Sequence, residues 1–128
     1  MKLLLDTHIF LWAVSDPARL SQPVLSVIKD TRNQVLVSIA SAWEMSIKAR
    51  TGKLTIRGSA SGFVQRQLAR HGMELLGIEL RHLERLEKLP LHHRDPFDRL
   101  LVAQCMEEGA VLVSVDPQLK RYDLRIMS

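Results

Sequence analysis

The chain has 128 residues, of which 46% are hydrophobic and 25% charged, and its formal net charge is +4. This composition is typical of one globular domain, and no apolar run approaches the ~20 residues that span a bilayer. Cys105 is the only cysteine, which excludes an internal disulfide. We expect a cytoplasmic protein with no membrane association, because Asp6 and His8 interrupt the apolar start and no cleavage pattern follows.

The charge and the aromatic content limit the kinds of nucleic-acid surface to expect. A net positive charge suits a polyanionic partner. The aromatic content of 5% argues against a surface that binds single strands by base stacking. Any nucleic acid is therefore expected to be held mainly through its backbone phosphates.

Strand and helix patterns alternate along the chain. Short continuous apolar runs bounded by turn residues predict buried strands, and longer segments with caps and glycine stops predict helices. The predicted strands are 2–5, 34–38, 74–78, 110–114 and 124–127. The predicted helices are 7–14, 24–31, 41–50, 63–71, 82–88 and 97–108, with a helical turn at 117–120. The alternation predicts an α/β fold, with a central parallel sheet of about five short strands and helices on both faces. We expect a single domain over residues 1–128.

Two helix starts rest on specific local signals. Ser41 and Glu44 have the spacing of a capping box, which places the start of the third helix at Ser41. The glycines at positions 58 and 62 predict a loose loop, so that the next helix starts near Phe63.

Four acidic residues lie near the ends of these predicted elements: Asp6, Glu44, Asp98 and Asp116. Ligands of parallel α/β sheets bind at the carboxyl edge of the strands, so acids that follow different strands meet there. Clustered carboxylates repel one another and must bind cations or share protons, or else they destabilise the fold. Oxygen ligands suit Mg²⁺ and Mn²⁺, and such a cluster predicts metal-dependent phosphodiester chemistry.

Each acid also has an ordinary structural explanation. Asp6 could cap the first helix, Glu44 could complete the capping box, and Asp116 could open a turn before Pro117. Asp95 and Asp98 both lie at the start of one helix, although a cap needs only one of them. The adjacent histidines His92 and His93 lack zinc-site spacing and predict a solvated loop, with at most a supporting role for His93.

Four segments resemble the PIN-domain ribonucleases, and most closely the VapC-type toxins of bacterial toxin–antitoxin pairs. The resemblance covers nearly the whole chain in order, and the third of these segments is the most specific. The segments are LLLDTH at 3–8, SAWE at 41–44 with Lys48 and GKL at 52–54, HRDPFDRLLVAQ at 93–104, and LVSVD at 112–116.

The resemblance implies the site residues and the activity. By position, the family's four acids correspond to Asp6, Glu44, Asp98 and Asp116, with Asp6 and Asp98 as the firmest metal ligands. The implied activity is Mg²⁺- or Mn²⁺-dependent cleavage of RNA that leaves 5′-phosphate and 3′-hydroxyl ends. A homodimer and a separately encoded antitoxin are also implied. Residues with auxiliary roles are Thr7, Lys48, Asp95, Arg99 and Ser114, where Ser114 stands at a position that the family commonly fills with threonine.

Basic and aromatic side chains near these acids each allow two interpretations of their role. Lys48, Arg50, Lys53 and Arg57 could bind RNA phosphates or form a solvated helix end. Arg99 could reach a phosphate or pair with a carboxylate. We expect Trp43, on the third helix, to form a core or dimer contact.

Two other functional classes remain as alternatives. The first is a non-catalytic module of the same fold that binds RNA or an antitoxin. The second is a receiver-like signalling domain, which needs adjacent acids after the first strand and a lysine after the last core strand. The residues around Asp6 and after Asp116 supply neither feature.

Overall fold

The computed structural model describes residues Met1–Ser128, and its five strands form one fully parallel sheet in the order β3-β2-β1-β4-β5. From β1 the chain adds β2 and β3 on one side of the sheet, and it then adds β4 and β5 on the other side. The order therefore reverses between β1 and β4, at the centre of the sheet. The strands are β1 (Lys2–Leu5), β2 (Gln34–Ser38), β3 (Glu74–Leu76), β4 (Val111–Val113) and β5 (Ile126–Met127).

Six α-helices and two short 3₁₀ helices connect these strands. The α-helices are α1 (Thr7–Ser15), α2 (Gln22–Lys29), α3 (Ile39–Arg50), α4 (Ala60–His71), α5 (Leu80–Glu87) and α6 (Pro96–Glu108). The 3₁₀ helices are Pro17–Arg19 and Pro117–Arg121. The α/β architecture predicted from the sequence is confirmed, and none of these helices is long and apolar enough to cross a membrane.

The sheet carries a hydrophobic core on each face, as its pleat requires. Leu3 and Leu5 point into a core formed with α1, α2 and α4, whereas Leu4 points into a second core formed mainly with α6. All three leucines are fully buried, and burial of each side chain contributes about 1.5–3 kcal/mol. The rigid central strand that results fixes the position of Asp6, which follows it directly.

Four helices begin two or three residues before their predicted starts: α2 at Gln22, α3 at Ile39, α4 at Ala60 and α5 at Leu80. Helix α3 begins at Ile39, because β2 runs straight into it and the Ser38 hydroxyl accepts the Ala40 N–H at 3.0 Å. Ser41 is therefore a buried residue inside the helix, and no capping box forms with Glu44. Helix α4 begins at Ala60 rather than Phe63, because the Ser59 hydroxyl accepts the Gly62 N–H and caps the helix across the glycine-rich segment.

The strand order also bears on the signalling alternative. Flavodoxin-like domains, the class that includes receivers, have the strand order 2-1-3-4-5. Here β1, rather than β3, is the central strand. The observed topology therefore excludes the receiver-like alternative.

The third strand is shorter than predicted. It ends at Leu76 rather than at residue 78, and it lies at an exposed edge of the sheet.

Candidate active site

The four predicted acids meet in one cleft at the carboxyl edge of the central strands. Asp6 follows β1 directly, and its N–H donates to the Val113 carbonyl of β4 at 3.0 Å, so that the two strands hold it between them. The cleft has a volume of about 330 Å³. It is lined by Asp6, Thr7, His8, Glu44, Lys48, His93, Asp95, Asp98, Val115 and Asp116.

Asp6 is buried and caps α1. Its Oδ1 accepts the Ile9 N–H at 2.8 Å, and only 5% of the residue is exposed. Burial raises the pKa of Asp6, although hydrogen bonds from the Ser114 hydroxyl and from the Ile9 N–H act in the opposite direction. The predicted capping role and a place in the acidic cluster are therefore both present in one residue.

Glu44 lies in the second turn of α3, and both of its carboxylate oxygens have a partner. The Thr7 hydroxyl donates to Oε1 at 2.6 Å, and the Lys48 ammonium lies 2.7 Å from Oε2. Thr7 and Lys48 thus join the cluster as expected from the sequence. Their contacts orient Glu44 and neutralise its charge.

Asp98 lies in the first turn of α6 and has no lysine or arginine partner. Its nearest ionic neighbour is His93, whose Nε2 lies 3.4 Å from Oδ2. Burial and then the negative charge of Asp95 raise the pKa of Asp98 to about 7. Asp98 therefore lies in the cleft with no lysine or arginine to balance its charge.

Asp116 follows β4 and begins the second 3₁₀ helix. Its Oδ1 accepts the Gln118 N–H at 2.9 Å, and its Oδ2 lies 2.8 Å from His93 Nε2. Burial acts to raise the pKa of Asp116, but the hydrogen bonds from His93 and Gln118 outweigh it and lower this pKa overall. Asp116 is thus held ionised beside Asp98.

The remaining predicted residues divide into two groups. Asp95 caps α6, because its Oδ1 accepts the Phe97 and Asp98 N–H groups at 2.8 and 3.2 Å. The Ser114 hydroxyl accepts the Asp116 N–H at 3.1 Å, so it supports the cluster. Arg99 does not line the cleft: its Nη2 donates to the Leu89 carbonyl at 3.3 Å, and the expectation that it reaches the acids is wrong.

His93 is the residue that sequence reasoning undervalued. The solvated-loop expectation fails for it, because its side chain is only 10% exposed and contacts two of the four acids. A local signal does exist, since His93 stands two residues before the Asp95 cap. That spacing allows its ring to accept the Asp95 N–H, as it does at 3.0 Å.

The donor set fits a hard divalent cation. Carboxylate oxygens of Asp98 and Asp116 lie within 4.8 Å of each other beside the His93 ring, and Asp6 and Glu44 line the same cleft. Carboxylate oxygens are the ligands that Mg²⁺ and Mn²⁺ prefer. Asp98 has no lysine or arginine partner, so its carboxylate is free of a competing ion pair.

A family model described as the PIN domain matches residues 3–124. The chain belongs to the PIN domain family. This PIN domain is 29% identical over 121 residues to ribonuclease VapC22 of Mycobacterium tuberculosis, and the match covers 94% of this chain and 91% of that protein. Ribonuclease VapC16 of the same organism is 35% identical over 57 residues, which cover 44% of this chain and only 40% of that protein.

Solved structures share the fold of this PIN domain. VapBC2 from Rickettsia felis, bound to a DNA fragment from its promoter, superposes with a TM-score of 0.75 at 17% identity and covers 99% of this chain and 98% of that one. DNA-bound VapBC from Salmonella typhimurium also gives a TM-score of 0.75, at 16% identity, and covers 99% of this chain and 97% of that one. At these identities the likeness concerns the fold alone.

Proposed function

We propose that this chain is a metal-dependent endoribonuclease, and that it acts as the toxin of a toxin–antitoxin pair. The observation that carries the proposal is the uncompensated charge at Asp98, whose pKa is raised to about 7 in a cleft with three further acids. A divalent cation would relieve that charge. Membership of the PIN domain family and two relatives named ribonuclease VapC support the same activity.

The proposed metal ligands are Asp6, Asp98 and Asp116, with Glu44 as a further acid of the site. A bound Mg²⁺ or Mn²⁺ would supply charge stabilisation for the phosphodiester and a nucleophile at neutral pH. Thr7 and Lys48 orient Glu44 within the cleft. Ser114 positions Asp116 through the backbone and hydrogen-bonds to Asp6. Asp95 sets the start of α6 and, through it, the place of Asp98.

RNA is the substrate class that the proposal names. Beside the acids, a second depression is lined by Lys48 and Lys53 together with Glu44 and Asp95, so positive charge lies next to the proposed scissile position. Contacts of lysine with phosphates hold a nucleic-acid backbone without reading its sequence. The net charge of +4 acts in the same direction over a longer range.

The proposed partners are an antitoxin and a second copy of the chain. The antitoxin is proposed from the VapBC complexes that share the fold and from the VapC relatives. For the second copy, Ile39, Trp43 and Ile47 form an exposed apolar stripe along α3, with exposed fractions of 41%, 59% and 42%. Trp43 is thus not a core residue, and its expected role as a dimer contact stays a proposal. One domain over 1–128 and a cytoplasmic location also stay predictions.

The dimer is tested by the mass of the particle in solution. Trp43→Arg places a charge in the middle of the stripe, and we expect light scattering after gel filtration to report a shift from dimer to monomer. Leu80→Arg is the matched control, because Leu80 is 84% exposed on α5, outside the stripe. A wild-type monomer at all concentrations would refute this partner.

The nuclease is tested with purified protein, free of antitoxin, on end-labelled RNA with Mg²⁺, Mn²⁺ or EDTA. We expect wild type to cut RNA only with metal, and to leave DNA of the same sequence intact. Asp98→Asn keeps the size of the side chain and removes its charge, and we expect it to fold and not to cut. Folding is checked by circular dichroism and thermal unfolding.

Each outcome separates the two functional classes. Cleavage by a folded Asp98→Asn protein at the wild-type rate would refute the site. Binding of RNA without cleavage under any metal would favour the non-catalytic binding module.

A further inference from the structure

The hydrogen bonds around His93 fix the tautomer of its ring. Nδ1 accepts the Asp95 N–H at 3.0 Å, so Nδ1 carries a lone pair and no proton. A neutral imidazole has one N–H, which must then be on Nε2. If Nδ1 carried a proton, the Nδ1–H and the Asp95 N–H would point at each other, and the hydrogen bond between them would be lost. The His93 ring therefore presents its N–H from Nε2.

That N–H donates to Asp116, one of the proposed metal ligands, and Nε2 also lies close to a second, Asp98. Nε2 lies 2.8 Å from Asp116 Oδ2 and 3.4 Å from Asp98 Oδ2. Because Nε2 holds the proton, it has no lone pair for a metal ion. His93 can thus donate to the carboxylates, but it cannot replace one of them as a ligand without losing its bond to Asp95.

The ring is also held in place by the protein around it. The His93 backbone N–H donates to the Tyr122 hydroxyl at 3.2 Å, and Tyr122 is buried. The side chain of His93 is 10% exposed. Both ends of the residue are therefore anchored, and the Nε2–H direction is set before any ligand arrives.

We propose that His93 is a positioning residue that holds Asp98 and Asp116 at the spacing one divalent cation needs, and that it does so by donation from Nε2 and not as a ligand. The inference rests on the proposed metal-dependent function. Two like-charged carboxylates would otherwise turn away from each other, and the hydrogen bond from Nε2 holds Asp116 Oδ2 on the side of the ring where Asp98 Oδ2 also lies. Each of these oxygens keeps a further lone pair for a cation. Groups that hydrogen-bond to ligating carboxylates typically contribute 10–100-fold in metal affinity.

Two substitutions separate this role from a purely structural one. His93→Asn has an oxygen that can still accept the Asp95 N–H, but it is too short to donate to Asp116. His93→Gln reaches as far as Nε2 with an amide N–H, but it gives up the ring nitrogen that accepts from Asp95. His92→Gln is the control, because His92 packs on Tyr122 and contacts none of the acids.

The primary measurement is the affinity of Mn²⁺ for the RNA-free protein by titration calorimetry. We expect His93→Asn to weaken Mn²⁺ binding about 10–100-fold. His93→Gln should stay within a few-fold of wild type, and His92→Gln should match wild type. Thermal unfolding in EDTA checks that all variants fold. In cleavage assays the Mn²⁺ concentration for half-maximal rate should shift with the affinity for His93→Asn, while kcat recovers at saturating Mn²⁺.

The results that overturn the proposal are distinct from those that overturn the function. If wild type binds Mn²⁺ and His93→Asn binds it equally well, the positioning role is wrong and the nuclease proposal stands. Nitrogen hyperfine coupling that appears in the pulsed EPR of Mn²⁺ bound to wild type and is lost in His93→Asn would make His93 a direct ligand, which also refutes the positioning role. If wild type binds neither Mn²⁺ nor Mg²⁺, the proposed metal dependence fails, and this inference fails with it.

Discussion

Two clusters in this protein share one arrangement of histidine and carboxylates, but they differ in how the charge is balanced. In the cleft, His93 Nε2 lies 2.8 Å from Asp116 and its Nδ1 accepts a backbone N–H. Where the start of α5 meets the end of α6, His82 Nε2 lies 2.9 Å from Glu108, and His82 Nδ1 also accepts a backbone N–H. A second carboxylate stands near each histidine: Asp98 in the cleft and Glu79 in the other cluster.

The two clusters differ in the cations beside their carboxylates: Arg81 and, at 3.9 Å from Glu108, Lys2 belong to the second cluster. The Arg81 guanidinium contacts both Glu79 and Glu108, so the second cluster has a cation of its own. The hydrogen bond from His82, aided by Arg81, lowers the pKa of Glu108. Asp98 has no such partner, and its pKa is raised to about 7. Nearby acids and a histidine therefore do not identify a metal site by themselves, and the absence of an arginine or lysine beside Asp98 is what favours the cleft in our proposal.

Matched amide substitutions in the two clusters test most sharply whether the clusters differ in function. Asp116→Asn and Glu108→Gln each remove one negative charge beside a histidine Nε2. We expect Asp116→Asn to lower the rate of RNA cleavage about 100-fold, since loss of a metal ligand costs several kcal/mol in the transition state. Glu108→Gln should cut RNA at the wild-type rate, as measured by initial rates with saturating Mg²⁺. Equal losses in both variants would mean that the clusters do not differ in function.

Metal should stabilise the protein through the cleft alone. At a Mn²⁺ concentration of 100 times its Kd, we expect the wild-type free energy of unfolding to rise by about 2.7 kcal/mol. Asp98→Asn should gain much less, and Glu108→Gln should gain as much as wild type. Urea unfolding with Mn²⁺ or EDTA measures the difference. A full metal response in Asp98→Asn would place the cation elsewhere.

Without metal, Asp98 should make stability fall as the pH rises. Its folded pKa of about 7 lies above the ordinary value of 3.8, so the folded state binds this proton more tightly than the unfolded chain does. That contribution is complete below pH about 4 and is lost as the pH rises through about 7. In EDTA at pH 8, Asp98→Asn should therefore be more stable than wild type by about 2 kcal/mol, with solvent screening of the partly exposed side chain allowed for.

The same comparison at lower pH serves as the control for this prediction. At pH 5 the advantage of Asp98→Asn over wild type in urea unfolding should be smaller, because the wild-type carboxyl is then largely protonated. An advantage that does not change between pH 5 and pH 8 would show that charge at Asp98 is not its source.

The smallest effect is expected when the second cluster is made to resemble the first. Arg81→Ala removes the built-in cation beside Glu79 and Glu108, and we expect a modest loss of stability because the guanidinium is partly exposed. In a Glu108→Gln background the same substitution should cost less, since one of its two partners is already neutral. A double-mutant cycle in urea measures this coupling. Additive losses would mean that Arg81 does not compensate Glu108.

The sequence predicted the fold well where apolar runs are bounded by clear turn and capping residues. Leu3–Leu5 and Val35–Val37 are continuous apolar runs that only a doubly covered parallel sheet buries. Asp6 and Asp116 were brought together because both follow central strands, which is a property of parallel topology. The helix starts at Ile39 and Ala60 were missed for a local reason: the capping serines lie in segments that were predicted as strand (Ser38) and as loop (Ser59).

The sequence could not predict which side of a helix each polar residue faces in the assembled site. Arg99 follows Asp98 directly, yet the 100° step of the helix turns its guanidinium away to the Leu89 carbonyl. His93 was undervalued because its role depends on two contacts with residues 23 positions and five positions away in the chain. Such contacts exist only once β4 and α6 are placed side by side.

Behind the cleft, Gln104 locks together the elements that carry the acids. Its Oε1 accepts the Ser38 hydroxyl at 2.6 Å and its Nε2 donates to the Gly77 carbonyl at 3.2 Å, all in fully or partly buried surroundings. Helices α3 and α6 therefore cannot drift apart to relax the repulsion between Glu44 and Asp98. The conformational entropy of gathering the carboxylates is lost when the chain folds, so the proposed cation would meet a rigid, preassembled cavity. Its binding should accordingly be fast and leave the backbone unmoved.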